Sequence, residues 1–144
     1  MSTLLLLHGP NLNTLGKREP AIYGTTTLDD IEKSVRELTE QAGHQLRCFQ
    51  SNHEGELIDW LHKNTDAEYL IINAGAFTHT SVALRDAIKF TGLPFIEIHI
   101  SNVHARESFR HHSYLSDLAT AVMAGFGAEG YELATQFVLK KFGK

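Results

Sequence analysis

Short apolar runs are the feature of this sequence that most restricts its fold. Residues 3–7 (TLLLL), 69–72 (YLII) and 95–98 (FIEI) are each followed at once by polar, glycine or histidine residues. Such a run, bounded by turn residues, is typical of a strand that is buried on both faces, as in a parallel sheet. Residues 45–49 and 120–124 are two weaker candidates. The pattern therefore predicts five parallel strands.

Helical patterns separate these strands. The first repeats apolar residues every three or four positions from Leu28 to Leu38, with Thr27 as its N-cap and Gly43 beyond its end. Three further helices are indicated: one within residues 54–64, one with apolar residues over 82–88 that stops before Gly92, and one with apolar residues over 133–138 that runs close to the C-terminus. Because strands and helices alternate, we predict one α/β domain, residues 1–144, with a five-stranded parallel sheet between two helical layers. Five strands favour the flavodoxin-like three-layer sandwich over the six-stranded dinucleotide-binding fold.

The amino-acid composition argues against several classes of protein. The 144 residues include 13 basic and 17 acidic side chains, which gives a net charge of −4 and no basic footprint for nucleic acid. A single cysteine, Cys48, excludes an internal disulfide and a cysteine-rich zinc site, and it is expected to pack as a small apolar side chain. No apolar run approaches the ~20 residues that span a bilayer, and no signal-peptide pattern is present. We expect a soluble, cytoplasmic protein.

Polar segments follow three of the predicted strands. They are residues 8–13 (HGPNLN), 73–81 (NAGAFTHTS) and 99–102 (HISN). Ligands of open α/β sheets bind beyond the carboxyl ends of the strands. The sequence therefore predicts a site at this edge, where Asn11, Asn73 and Arg110 suit a hydroxylated, anionic small molecule.

The segment between the first strand and the first helix, residues 15–24 (LGKREPAIYG), is longer than the usual loop of about 2–6 residues. Long loops often cover sites. It places Lys17 and Arg18 close in sequence to Tyr23. A phenol with a pKa of about 10 is protonated at neutral pH, but a neighbouring guanidinium favours the phenolate, so Tyr23 can serve as a base. Alternatively, Tyr23 only packs the loop and Arg18 faces solvent.

A second candidate pair lies at the end of the fourth strand. Glu97 and His99 are two positions apart and therefore face the same way on a strand. The carboxylate can orient the imidazole and stabilise its protonated form, which makes His99 a candidate proton donor. Alternatively, His99 is a strand-end histidine that only bonds to a loop.

Three other possible functions, dinucleotide binding, metal binding and serine hydrolysis, have little support in the sequence. Residues 125–130 (GFGAEG) match the dinucleotide fingerprint, but that motif needs a further strand and an acidic residue about 20 positions later, so we interpret it as a strand-to-helix turn. The nine histidines show no recognised ligand spacing, so no metal site is expected. A serine hydrolase has little support because the G-x-S-x-G elbow is absent.

Non-enzymatic functions on the same fold are alternatives. A phosphorelay receiver needs acidic residues after the first strand and an aspartate after the third, where this chain has His8, Asn11 and Asn73. A flavin carrier needs a phosphate-binding loop, to which residues 9–12 (GPNL) are a weak match. Binding of a small anion without catalysis, or a scaffold role, is an alternative that the sequence leaves open.

Several segments, in order along nearly the whole chain, resemble the type II 3-dehydroquinate dehydratases. They are residues 8–13 (HGPNLN), 18–20 (REP), 23–24 (YG), 50–55 (QSNHEG), 73–81 (NAGAFTHTS), 97–102 (EIHISN), 106–107 (RE), 109–110 (FR) and 125–127 (GFG). A series of motifs in the correct order is far more specific than any one of them.

The resemblance implies a flavodoxin-like lyase that dehydrates 3-dehydroquinate to 3-dehydroshikimate in the shikimate pathway of aromatic amino acid biosynthesis, without metal or organic cofactor. It implies that Tyr23, as tyrosinate, removes the proton next to the ketone, and that Arg18 stabilises this anion. Asn11 would help to hold the enolate through a bound water. His99 would protonate the departing hydroxyl, with Glu97 fixing its ring, in an overall anti elimination.

The resemblance also implies contacts with substrate and between subunits. The implied substrate-binding residues are Asn73, His79, Asp86, Ile100, Ser101 and Arg110. Proteins of this family assemble as dodecamers built from trimers, and Asp86 would reach ligand across a subunit boundary. The sequence leaves open whether the enzyme serves biosynthesis or the breakdown of quinate.

Overall fold

The computed structural model describes residues 1–17, 21 and 25–143. Within them, strands and helices alternate as predicted. The elements are β1 (Thr3–His8), α1 (Leu28–Gln41), β2 (Gln45–Gln50), α2 (Glu54–His62), β3 (Tyr69–Asn73), α3 (Val82–Thr91), β4 (Phe95–His99), β5 (Ala121–Ala124) and α4 (Glu129–Phe142). All five predicted strands are confirmed, each with ends within one residue of the prediction.

The five strands form one parallel sheet in the order β2-β1-β3-β4-β5. This is the flavodoxin-like order, in which the chain reverses its direction of travel across the sheet between β1 and β3. The register sets His8, the last residue of β1, opposite both Gln50 of β2 and Asn73 of β3. The carboxyl ends of these three strands are therefore level, and the segments that follow them meet.

Two apolar cores lie on opposite faces of the sheet. Leu4 and Leu6 pack with α1 and α4 on one face, while Leu5 and Leu7 pack with α2 and α3 on the other. All four leucines are completely buried because successive side chains of a strand point to opposite faces. The unbroken apolar run of β1 thus reflects burial on both sides, as predicted.

Local signals set the helix ends. Thr27 caps α1 as predicted: its Oγ1 accepts from the Asp30 N–H at 3.2 Å, and the Asp30 carboxylate accepts from the Thr27 N–H at 3.1 Å. The predicted second helix ends earlier than expected, at His62, because the Asn64 side chain donates to the Trp60 carbonyl at 2.7 Å. These side-chain bonds replace backbone bonds that a helix end lacks.

Two further predictions concern single features. Residues 125–128 form the turn that joins β5 to α4 and residues 129–130 begin that helix, which confirms the strand-to-helix interpretation. Cys48 is half-buried against the core on the α1 side, and burial raises the pKa of its thiol to about 12. No helix in the described part of the chain is long and apolar enough to cross a membrane.

Candidate active site

A cavity of about 170 Å³ lies at the predicted edge of the sheet, between the segments that follow β1, β3 and β4. It brings together most of the site residues predicted from the sequence. Those that line it are Asn11, Asn73, His79, His99, Ile100, Ser101 and Arg110. Residues up to a hundred positions apart thus meet because three parallel strands end side by side.

Two walls of this cavity interlock through glycines. The Gly9 N–H donates to the Asn73 carbonyl at 2.7 Å, and a Cβ on Gly9 would lie only 2.2 Å from the Ala74 carbonyl oxygen. Gly75 has a φ of 58°, and a Cβ there would approach the Pro10 carbonyl oxygen to 3.0 Å. Backbone packs directly on backbone here, a contact that only glycine permits. The segments after β1 and β3 therefore form one rigid unit.

Asn11 adopts a left-handed backbone conformation, with φ 70° and ψ −4°. Among the described residues, it is the one non-glycine residue with positive φ. Its N–H donates to the side-chain oxygen of Asn52 at 2.9 Å, and its carbonyl accepts from the Thr14 N–H at 3.0 Å. Asparagine tolerates this conformation better than most residues do. It turns the chain so that the Asn11 side chain lines the cavity.

Asn73 is held at both ends of its amide. Its Nδ2 donates to the Tyr131 hydroxyl at 2.8 Å, and its Oδ1 accepts from the Gly75 N–H at 3.0 Å. Burial raises the pKa of Tyr131, so this hydroxyl stays protonated. These bonds fix which end of the Asn73 amide is nitrogen and which is oxygen, and each end keeps capacity for one more hydrogen bond.

Glu97 and His99 are in contact, as their spacing on β4 predicts. Nε2 of His99 bonds to the Glu97 carboxylate, and both side chains are buried. Ser116 donates to the other carboxylate oxygen at 2.7 Å. Burial alone would raise the pKa of Glu97, but the hydrogen bonds from His99 and Ser116 outweigh it and hold the pKa below its usual range. No bond to Nδ1 of His99 is present within the described residues, so this atom can bind a ligand in the cavity.

His79 and Arg110 complete the polar lining. Nδ1 of His79 hydrogen-bonds to the His112 carbonyl at 2.7 Å. Burial lowers the pKa of His79, and the hydrogen bond to the His112 carbonyl opposes this only in part, so the neutral imidazole is favoured. Nε of Arg110 donates to Glu107 at 3.0 Å, and within the described residues its other guanidinium donors have capacity for a ligand. Arg106 also lines the cavity, so two guanidinium groups lie among the polar donors and acceptors, which suits a small anionic molecule that carries hydroxyls.

Two of the predicted site residues that the structure describes, Glu97 and Asp86, are not among those that line the cavity. Asp86 lies on α3 with its side chain exposed to solvent. Arg18 and Tyr23, in the predicted lid, lie outside the described residues.

Comparisons with known proteins show what this chain is similar to. The family model "Dehydroquinase class II" matches residues 2–139. A catabolic 3-dehydroquinase 2 of Aspergillus flavus is 60% identical over 97% of this chain and 94% of its own length. A 3-dehydroquinate dehydratase of Hahella chejuensis is 59% identical over 98% of this chain and 97% of its own length. The crystal structure of the type II dehydroquinase from Propionibacterium acnes, 41% identical, superposes with a TM-score of 0.91 over 97% of both chains.

The chain belongs to the class II dehydroquinase family. This membership confirms the resemblance inferred from the motifs, the flavodoxin-like fold and the prediction of an enzyme. A scaffold or a non-enzymatic binding protein is correspondingly not favoured. Within the described residues, no group of three histidine, cysteine or acidic side chains could hold a metal ion.

The sequence analysis of this dehydroquinase missed several supporting residues. They are Asn52, Thr78, Ser113, Ser116 and Tyr131, which hydrogen-bond to site residues or to one another. Asn52 and Thr78 lie inside segments already noted as family motifs, so the motifs were a usable signal. Ser113 and Ser116 lie in the irregular segment between β4 and β5, where no pattern marks them.

Proposed function

We propose that this class II dehydroquinase catalyses the anti dehydration of 3-dehydroquinate to 3-dehydroshikimate through an enolate. The observation that supports the proposal most directly is the cavity. It is lined by His99, which hydrogen-bonds to the Glu97 carboxylate, and by Asn11 and Arg110, in a chain that belongs to this family. An elimination of this kind needs a base, an acid and donors for the enolate oxygen.

In the proposed mechanism the Tyr23 phenolate removes the proton from the carbon next to the ketone. The electron pair moves onto the carbonyl oxygen, which Asn11 stabilises through a bound water, while Arg18 stabilises the phenolate. When the enolate collapses, the bond to the departing hydroxyl breaks and His99 supplies the proton that releases it as water. Glu97 keeps the His99 ring oriented. General acid and base groups typically contribute about 10²–10⁴-fold each.

The remaining residues bind substrate. The Arg110 guanidinium and the backbone and side chain at Ile100 and Ser101 bind the carboxylate, and Asn73 and His79 bind hydroxyls. The exposed position of Asp86 on α3 suits a contact with ligand in a neighbouring subunit of a dodecamer built from trimers. In this mechanism side chains supply the base, the acid and the support of the enolate oxygen, so it uses neither metal nor organic cofactor.

We assign the protein to aromatic amino acid biosynthesis, as a cytoplasmic enzyme with a single catalytic domain. Breakdown of quinate is a second candidate, because the relative from Aspergillus flavus is named as catabolic. Deletion of the gene distinguishes the two roles. A biosynthetic enzyme is required for growth without aromatic amino acids, whereas a catabolic one is required for growth on quinate.

The direct test is an ultraviolet assay of the purified protein with 3-dehydroquinate, which follows the conjugated product with and without a chelator. We expect absorbance to rise at the same rate in both. The absence of a rise from folded, assembled protein would refute the lyase assignment, and a rise that the chelator abolishes would refute the metal-free mechanism. Sedimentation of the same sample tests the dodecamer.

A further inference from the structure

We infer that Asn52 is a positioning residue of this site, which holds the backbone of Asn11 in its left-handed conformation and so directs the Asn11 amide into the cavity. The catalytic part of this inference rests on the proposed function. The backbone part rests on the geometry alone.

The Asn11 backbone needs such a support. Non-glycine residues occupy the left-handed region rarely, and mostly where surrounding contacts hold them there. The Asn11 carbonyl is bonded to Thr14, through its N–H at 3.0 Å and its hydroxyl at 2.6 Å. The Asn11 N–H is bonded to the Asn52 side chain at 2.9 Å. Asn52 thus supplies the bond on the N–H side of this left-handed residue.

Asn52 is itself held firmly. Nε2 of Gln50 donates both to the Asn52 side-chain oxygen at 3.2 Å and to the Gly9 carbonyl at 3.1 Å, which ties the turn after β2 to the turn after β1. The residues on either side of Asn52 are fixed as well. Ser51 is buried, its N–H donates to the His8 carbonyl, and its hydroxyl accepts from the His53 N–H at 2.9 Å. Asn52 therefore acts from a rigid frame.

The Asn11 side chain depends on this support. Among the described residues, none hydrogen-bonds to the Asn11 amide group, although that group lines the cavity. Within the described part of the site, the Asn11 backbone is therefore what places this group at the cavity. A misplacement of about 1 Å of a group that stabilises the transition state can lower turnover by about 10²-fold.

A double-mutant cycle tests the inference. Asn52→Ala should lower kcat about 10-fold, with a smaller change in KM, because it acts through a group that matters in the transition state. Asn52→Asp keeps an oxygen that accepts from the Asn11 N–H and should restore most of kcat. In an Asn11→Gly background there is no side chain to direct, and glycine accepts positive φ. Adding Asn52→Ala to that variant should change kcat by less than about 2-fold.

Asn64→Ala is the matched control. Asn64 also uses its side chain to bond backbone, at the Trp60 carbonyl, but is not among the residues that line the cavity. It should lower stability without lowering kcat. The inference is overturned if Asn52→Ala leaves kcat unchanged, or if Asn52→Ala lowers kcat as much in the Asn11→Gly variant as in the wild type. It is also overturned if Asn64→Ala lowers kcat as much as Asn52→Ala does.

Hydrogen exchange separates this inference from the proposed function. The peptide that contains Asn11 should exchange faster in Asn52→Ala than in the wild type or in Asn52→Asp, because the Asn11 N–H loses its acceptor. This readout needs no turnover. If Asn52→Ala exchanges faster but the wild type does not act on 3-dehydroquinate, the backbone support stands and the proposed reaction is refuted. If the wild type is active but exchange in Asn52→Ala is unchanged, the inference is overturned.

Discussion

Glu97 shows at the scale of a single residue how this fold stabilises a buried charge. Its side chain is 1% exposed, and it bonds to His99, Ser116 and, at 3.3 Å, to the Thr78 hydroxyl. A buried carboxylate without partners would be strongly destabilising. With these donors the charged form is favoured, and the same bonds fix the ring that faces the cavity. Glu97 therefore contributes both to the stability of the folded protein and to the orientation of the His99 ring.

Replacement of Glu97 by Gln should make stability less dependent on pH. The folded-state pKa of Glu97 lies below its ordinary value of 4.5. Its contribution to the free energy of unfolding is therefore complete above pH 4.5 and is lost as pH falls through the lower, folded-state pKa. Urea unfolding should show wild type more stable than Glu97→Gln at neutral pH, with the difference shrinking in acid. A difference independent of pH would contradict this.

Replacement of His99 by Ala should lower kcat by about 10²–10⁴-fold while substrate still binds, because the proton donor to the leaving hydroxyl is lost. His62→Ala is the control, since that imidazole is exposed at the end of α2, away from the cavity. Steady-state kinetics measures both. If KM alone changed in His99→Ala, His99 would be a binding residue.

Replacement of Tyr23 by Phe should keep the fold and remove most of the turnover, because phenylalanine has no hydroxyl to act as the base. We expect a fall in kcat of about 10²–10⁴-fold. Circular dichroism of the variant establishes that it is folded. Near-normal turnover in that sample would exclude Tyr23 as the base.

At the scale of secondary-structure elements, the ends of β1 and β3 are the critical junction. Gly9 and Gly75 let the two following segments touch through backbone, and this contact aligns Asn11 with Asn73. Close packing of this kind leaves no space for a side chain. The junction therefore links the stability of the sheet edge to the shape of the cavity.

Replacement of Gly9 by Ala should destabilise the protein by about 1–3 kcal/mol and impair turnover, because the new Cβ would meet the Ala74 backbone. Gly55→Ala is the matched control: it lies in α2, and its Cβ would meet nothing within 4 Å. There alanine should stabilise by about 0.5–1 kcal/mol through its helical preference. Urea unfolding measures both. Equal effects would show that the close contact at Gly9 is unimportant.

At the scale of the whole molecule, the sheet separates two cores that share no helix. Ile31 of α1 belongs to one core and Ile88 of α3 to the other, and both are almost completely buried. Energetic effects of distant residues without shared partners usually add. The two faces should therefore respond independently to small losses of packing.

Replacement of Ile31 and Ile88 by Val tests this separation. Each single change should lower the free energy of unfolding by about 0.5–1.5 kcal/mol. The double variant should lose the sum of the two, within about 0.5 kcal/mol. Denaturant unfolding of the four proteins gives the coupling. A coupling well above that limit would mean that the two faces pack as one unit.

The sequence by itself determined the elements and one pair of site residues. Strands, helix caps and the Glu97–His99 contact depend on residues close in the chain, where spacing of two, three or four positions fixes relative direction. The motif series likewise sufficed to recognise the family.

Only the tertiary structure decided which residues support the site. Asn11 meets Asn52 across 41 positions, and Asn73 meets Tyr131 across 58. These pairs form because β2 and β3 flank β1 with level ends, and because α4 crosses beneath β3 on the same face as α1. Strand order and register arise from packing of the whole chain, so no local pattern specifies them.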